Sequence, residues 1–102
     1  MSIEKLVAWG EKRESDDLII YKIQAELKGK REINSLMKEF RGWKPAGEGF
    51  DPNSQKTIIL MMRAFEDKKS WVKFAKTLPF VVEELNPRTG KKKVINGKRR
   101  KA

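Results

Sequence analysis

The segment QKTIILMMRAFED, residues 55–67, is the most apolar part of the chain and decides how the rest is arranged. On a helix, its apolar side chains would cover most of the circumference, which is typical of a helix buried on all sides. Asn53 or Ser54 precedes the segment and can accept a hydrogen bond from a first helical turn. We therefore predict a central, most buried helix over residues 55–67.

The segments on either side of this run have the period of amphipathic helices. Residues 31–42 place apolar side chains at i, i+3, i+4 and i+7, and residues 71–78 repeat one-turn spacing up to Pro79, which ends the pattern. We predict a helix in each segment. The apolar positions are Ile33, Leu36, Met37 and Phe40 in the first and Trp71, Phe74, Ala75 and Leu78 in the second, with Lys73 and Lys76 on its outer side.

The first 28 residues are less decisive. Ser2 begins a run with Ile3, Leu6 and Val7 at one-turn spacing, which predicts a short helix up to Gly10. Residues 18–27 fit a helix that starts after Ser15-Asp16-Asp17, but Ile19, Tyr21, Ile23, Ala25 and Leu27 also alternate as in a strand. The helix propensities of residues 24–28 favour the helix, which we prefer while the strand remains open.

Two segments rich in proline or glycine interrupt these patterns. Residues 42–53 contain Pro45, Gly47, Gly49 and Pro52 and predict a loop, with Trp43 and Phe50 folding back on the core. After Pro79, two β-prone runs flank Asn86-Pro87-Arg88-Thr89-Gly90, which predicts a hairpin. Such a hairpin would bring Glu83 and Glu84 near Lys91, Lys92 and Lys93.

Together these elements predict a mainly α protein. At 102 residues the chain has the length of a single domain. We expect four to five helices around residues 55–67, a short C-terminal β-hairpin and a basic tail. In this organisation residues 1–87 form a helical domain, and residues 88–102 form a basic hairpin arm and tail.

One segment resembles a known DNA-binding motif. The spacing of Ala25 and Gly29, followed by Lys30-Arg31, resembles the turn of the helix-turn-helix family. The next helix departs from that family, because Ser35 and Lys38 occupy positions that are apolar there. We therefore predict a plain helical hairpin for residues 16–40.

The charge of the chain is concentrated at its C-terminal end. The protein has 24 basic and 14 acidic residues, and eight of the basic ones lie in residues 88–102, which contain no Asp or Glu. Residues 1–87 therefore carry a net charge of only +2, and the C-terminal segment carries +8. Blocks of like charge commonly bind nucleic acid, whose phosphates release counterions when they are neutralised.

We predict a nucleic-acid interface on these cations. Lysines in an arm contact phosphates rather than base edges, so the interface would have little sequence specificity. Six contacts to duplex phosphates would give a log–log salt slope of about −5. The predicted contacts are Arg88, Lys91, Lys92, Lys93, Lys98, Arg99, Arg100 and Lys101, with Lys28, Lys30 and Arg31 as a second patch and Trp43 as a residue that stacks on bases.

The composition argues against catalysis and against a bound metal or cofactor. The chain has no histidine, and hence no imidazole base, and no cysteine, which excludes thiolate metal sites. The acidic pairs, such as Asp16-Asp17 and Glu83-Glu84, have simpler interpretations as caps or cross-strand charges. Gly47-Glu48-Gly49 lacks the lysine and the strand–loop–helix context of a phosphate-binding loop.

The sequence thus predicts a non-enzymatic accessory protein that binds DNA or RNA through a basic C-terminal arm. The alternative is a protein-interaction module that docks an acidic partner through a helical body, with Met37, Met61 and Met62 in an adaptable groove if they are exposed. We find neither a signal peptide nor a membrane span and expect a cytoplasmic protein, or a nuclear one in a eukaryote. The pattern does not indicate an oligomeric state.

Overall fold

A computed structural model describes residues 5–12 and 17–97 of the chain and shows a six-stranded sheet with two helices. The predicted mainly α class is therefore wrong, because β-structure dominates the described residues. The strands are β1 (Lys5–Lys12), β2 (Ile19–Leu27), β3 (Lys44–Asp51), β4 (Lys56–Phe65), β5 (Val81–Leu85) and β6 (Lys92–Asn96), and the helices are α1 (Lys30–Glu39) and α2 (Lys68–Thr77).

The sheet is mixed, with the strand order β3-β4-β2-β1-β5-β6. Only the β1–β5 pair is parallel, and the other four pairs are antiparallel. Side chains from both helices join the same buried cluster as one face of the sheet, including Leu36 and Phe40 from α1 and Trp71 and Ala75 from α2. Within the described residues, both helices thus lie on one side of the sheet, which we call the helix face, and the other side is the open face.

The apolar run at residues 55–67 is strand β4, not the central helix that its composition predicts. It pairs with β2 on one side and β3 on the other. Ile59 and Met61 point to the helix face and are buried, and Ile58, Leu60 and Met62, which alternate with them, are half-buried on the open face. A strand covered on one face and flanked on both edges suits a continuous apolar run as well as a buried helix does.

The N-terminal segments also form strands. Residues 5–12 are β1 rather than a helix, and residues 1–4, where the predicted helix begins, lie outside the described part of the chain. Residues 19–27 are β2, so the preferred helix is wrong and the alternation describes the structure. Ile19, Tyr21, Ile23, Ala25 and Leu27 share the helix face, and all but Ile19 are buried. Because Ala25 lies in a strand, the helix-turn-helix resemblance and the helical hairpin both fail.

The predicted loop at residues 42–53 is mostly edge strand β3. Pro45 lies at a register shift in this strand, where a missing N–H is tolerated. Trp43 folds back on the core as predicted and is only 6 % exposed, but Phe50 does not, because 62 % of its surface faces solvent. An edge strand that pairs with one neighbour does not need a hydrophobic period. The glycines of β3 are typical of a loop, so the sequence pattern did not indicate a strand.

Three predicted elements are confirmed: the helix at residues 31–42 is α1, the helix around Trp71–Leu78 is α2, and residues 80–96 form the β5–β6 hairpin. In the hairpin, Glu84 lies opposite Lys93 and Leu85 opposite Lys92. The boundary proposed at residues 87 and 88 falls in the turn between two strands of this one sheet.

An aromatic cluster joins α2 to the sheet. The Trp71 ring stacks on Tyr21 with ring centroids 4.6 Å apart, and its Nε1 donates a hydrogen bond of 2.9 Å to Glu84 Oε1. Burial, and secondarily the charge of Glu84, raises the pKa of Tyr21 to about 12. These contacts fix the rotation of α2 about its axis and thereby determine which of its side chains face solvent.

Candidate nucleic-acid interface

Helix α2 presents a stripe of lysines beside the sheet. Lys69, Lys73 and Lys76 follow at i, i+4 and i+7, which places them on one side of the helix. Together with Lys68 and Val72 they line an open groove of about 500 Å³. From Lys69 to Lys76 the helix rises about 10 Å, which corresponds to roughly three phosphates of one strand of duplex DNA.

Packing and a cap orient this stripe. Trp71 and Ala75, which are fully buried, turn one side of α2 to the core, and Asp67 caps its start by accepting a 2.8 Å hydrogen bond from Ser70 N. That bond, more than the nearby charge of Lys69, lowers the pKa of Asp67. Since the core side is fixed by large apolar side chains, the lysines are held toward solvent.

Most of this stripe keeps its positive charge available. Lys68 Nζ lies 3.5 Å from Glu84 Oε2, and it is the only one of the four groove lysines that forms an ion pair with another described residue. Lys69, Lys73 and Lys76 are exposed. An anion that enters the groove therefore has three unpaired ammonium groups to meet.

Strand β6 brings one of the predicted contacts to the same side of the sheet as α2. Lys93 is opposite Glu84 in the ladder, and Glu84 faces α2 through its bonds to Trp71 and Lys68, so Lys93 lies on the helix face. Lys92 is the partner of Leu85 and lies on the open face. The structure thus separates two neighbouring lysines that the sequence grouped together.

The hairpin turn exposes two more of the predicted cations, Arg88 and Lys91. Asn86 Oδ1 accepts a 2.9 Å hydrogen bond from Arg88 N, and Thr89 Oγ1 accepts one of 3.2 Å from Lys91 N. Gly90 completes the turn at φ +75°, a conformation that favours glycine. The turn holds these cations at the end of the sheet where α2 begins.

At the other end, Asn96 ties β6 to the end of α2. Its side-chain amide Nδ2 donates hydrogen bonds of 2.9 Å to Ala75 O and 2.9 Å to Leu78 O. The predicted contacts Lys98, Arg99, Arg100 and Lys101 lie outside the described residues. In the sequence they follow directly after Gly97.

The second predicted patch lies at this same end of the sheet but farther across it. Lys28, Lys30 and Arg31 are exposed at the start of α1, which follows β2. Three strand spacings, about 14 Å, separate β2 from β6. The buried carboxylate of Glu32 accepts a hydrogen bond from Lys28 N, so this helix start already holds an anionic group.

Trp43 does not have a ring face available for a base, and the prediction that it stacks on nucleic acid is wrong. Its ring lies within 6.3 Å, between ring centroids, of Phe40, Phe65, Trp71 and Phe74. A ring packed on several sides by other rings supplies core area instead.

The sequence analysis missed Lys68 and Lys69 and assigned no role to Lys73 and Lys76. The signal was present, because cations at i, i+4 and i+7 flank the apolar positions of a predicted helix. Helical lysines usually only solvate an outer face, and the packing of this helix beside the hairpin is not visible in the sequence.

Comparison with known proteins finds no matching family model, no matching curated protein and no matching solved structure. Neither helix in the described residues is long and apolar enough to cross a membrane. The function is therefore inferred from the charge and the geometry of the chain itself.

Proposed function

We propose that this protein binds DNA or RNA without catalysing a reaction, through phosphate contacts that are largely independent of sequence. The contact surface comprises the α2 stripe (Lys69, Lys73 and Lys76), Lys93 on the helix face of β6, Arg88 and Lys91 at the hairpin turn, and the basic residues 98–101. We call this set the cationic surface.

One observation carries the proposal: three lysines that form no ion pair with a described carboxylate lie in a row along α2, from its start near the hairpin turn to its end, which Asn96 ties to β6. Isolated surface lysines would be scattered and paired with neighbouring acids. A continuous row longer than the spacing of backbone phosphates instead matches a polyanion. Lysine is a point charge without the planar fork that reads base edges, so the expected recognition is of the backbone.

The test is the salt dependence of binding to generic duplex DNA, single-stranded DNA and RNA probes, measured by fluorescence anisotropy. The variant Lys69→Gln/Lys73→Gln/Lys76→Gln removes three charges from the stripe. Its matched control is Lys38→Gln/Arg41→Gln/Lys44→Gln, which removes three exposed charges at the end of α1 and the start of β3. Each set includes one last-turn helix lysine, so losses in helix stability should be similar.

We expect the stripe variant to bind duplex more weakly and with a log–log salt slope shallower by about 2.7, at roughly 0.9 per phosphate contact. The control should keep the wild-type slope to within about one contact. Deleting residues 98–102 should reduce the slope further and additively. A stripe variant that binds like the control would exclude the α2 stripe, and wild-type protein that binds none of the probes at low salt would refute the function.

A further inference from the structure

The open face of the sheet carries apolar side chains on both sides of strand β2, and no described element covers them. The ladders place residues of this face in rows across β1, β2 and β4, with Val7, Gln24 and Leu60 in one row and Trp9, Lys22 and Met62 in the next. All of these are half-buried rather than enclosed. The apolar members of the open face are Val7, Trp9, Ile20, Ile58, Leu60, Met62, Val81, Leu85 and Val94.

Among the described side chains the charges on this face balance, although the chain as a whole carries +10. Lys22 Nζ lies 2.8 Å from Glu11 Oε1, and Lys56 Nζ lies 3.9 Å from Glu26 Oε1. The register adds two further cations and two further anions near the outer strands. Among the side chains that the structure describes, those of the open face are Lys22, Lys44, Lys56 and Lys92 and Glu11, Glu26, Asp51 and Glu83.

A face whose described charges balance and that carries several apolar side chains is a poor surface for a polyanion but a good one for a second copy of a cationic protein. Two copies that met through their helix faces would oppose their lysine stripes. Two copies that meet through their open faces keep those stripes apart by the thickness of two sheets, about 10 Å or more, which exceeds the Debye length of about 8 Å at physiological salt.

The face is also large enough for a stable dimer. Six strands at about 4.8 Å spacing and a mean length near seven residues give a sheet of roughly 25 by 25 Å, or about 600 Å² in projection. Side-chain relief increases the accessible area above this projection. Standard interfaces bury about 800 Å² per partner, so the face approaches one side of such an interface.

We propose that the protein is a homodimer in which two open faces pack against each other across a two-fold axis. The arrangement is a sheet-on-sheet sandwich with apolar side chains interdigitating between the two sheets. It directs both helix layers outward, so the cationic surfaces of the two copies would lie on opposite sides. The inference concerns only the association of the chain with itself and stands or falls independently of nucleic-acid binding.

Sedimentation equilibrium of the full chain tests the dimer. At tens of micromolar protein and 0.15 M salt we expect a mass of twice 11.9 kDa. Leu60→Glu, on the open face in the middle of β4, should give a folded monomer by placing a carboxylate in the dimer interface. The matched control is Phe50→Glu, because Phe50 belongs to the same β3–β4 hairpin and is 62 % exposed at the sheet edge. It should remain a dimer.

A second measurement on unaltered protein guards against a variant that does not fold. Trp43 and Trp71 are 6 % and 0 % exposed, so acrylamide quenching of tryptophan fluorescence reports mainly on half-buried Trp9. We expect quenching to decrease as the protein concentration rises through the dimer dissociation constant, and Trp9→Phe should abolish this change.

Three results would overturn the proposal. The first is wild-type protein that sediments as a monomer at every concentration in this range. That result overturns the dimer whether acrylamide quenches Trp9 freely or another part of the same chain protects it. A dimer that survives in folded Leu60→Glu would place the contact elsewhere. A dimer lost in Phe50→Glu but not in Leu60→Glu would assign it to the sheet edge.

Discussion

The link between Asn96 and α2 makes a prediction that can be worked out from single atoms. Asn96 is 4 % exposed, and its amide Nδ2 is the donor to Ala75 O and to Leu78 O. Replacing Asn96 with Ala removes both hydrogen bonds and adds no new donor. Ala75 O retains a bond from Leu78 N at 3.2 Å, so the main loss falls on Leu78 O.

The cost follows from these two oxygens. Loss of a hydrogen bond to a carbonyl that keeps another partner costs about 1 kcal/mol, and leaving a buried carbonyl without a partner costs about 1–3 kcal/mol. We therefore expect Asn96→Ala to reduce the free energy of unfolding by about 3 kcal/mol. The shift in Tm is this loss divided by the unfolding entropy, which is about 2.1 cal/mol/K per residue. For a chain of this length, Tm should fall by about 14 °C.

Urea denaturation followed by circular dichroism measures this loss. Asn34→Ala is the matched control, since Asn34 is exposed on α1 and should change stability by less than about 0.5 kcal/mol. Asn96→Asp should lower the free energy of unfolding more than Asn96→Ala does at pH 7, because it places a carboxylate next to two carbonyl oxygens. Surface substitutions usually change the free energy of unfolding by no more than about 0.5 kcal/mol. If Asn96→Ala stays within that range of wild type, the hydrogen bonds described for Asn96 are wrong.

Three further predictions concern the core beneath α2. A Cβ at Gly10 would lie 2.9 Å from Cε2 of Tyr21, whose ring is stacked on Trp71, so Gly10→Ala should lower Tm. A Cβ at Gly49 would meet nothing within 4 Å, so its matched control Gly49→Ala should keep or raise Tm. Because the pKa of Tyr21 is raised from 10.0 to about 12, its contribution to the free energy of unfolding should be complete below pH 10 and should decrease as the pH rises toward 12. In urea titrations at a series of pH values, Tyr21→Phe should not show this decrease. Glu84→Gln should move the phenol titration of Tyr21, followed by ultraviolet absorbance, to lower pH by removing a nearby negative charge, and an unchanged titration would contradict the coupling of the two groups.

The helices and the C-terminal hairpin were predictable because their signals are local. In α1, apolar residues recur with the helical period, and in α2 the same period ends at a proline that cannot continue it. Between β5 and β6, Asn86 to Gly90 supply turn chemistry through neighbouring side chains. Each of these signals acts within a few residues, so no distant part of the chain is needed to interpret it.

Strands β1, β3 and β4 were mistaken because their conformation depends on partners that are distant in the sequence. The consecutive apolar residues of β4 have no period of their own, and helix and strand propensities differ by less than about 1 kcal/mol per residue. β4 becomes a strand because β2 and β3 supply hydrogen bonds along both its edges. For β3, whose residues are almost all exposed, pairing with β4 along one edge is the defining interaction.

For the candidate site, the sequence alone determined the excess of cations, their concentration at the C-terminal end, and the lack of histidine and cysteine. Charge is additive along a chain and can be counted without knowing the fold. Tertiary structure decided which cations lie close together: it buried Trp43, turned Lys92 to the other face of the sheet from Lys93, and placed the α2 lysines between the hairpin turn and the end of β6. Such neighbourhoods are set by strand order and by the packing of Trp71 against Tyr21, which join residues far apart in the chain, and no local pattern encodes them.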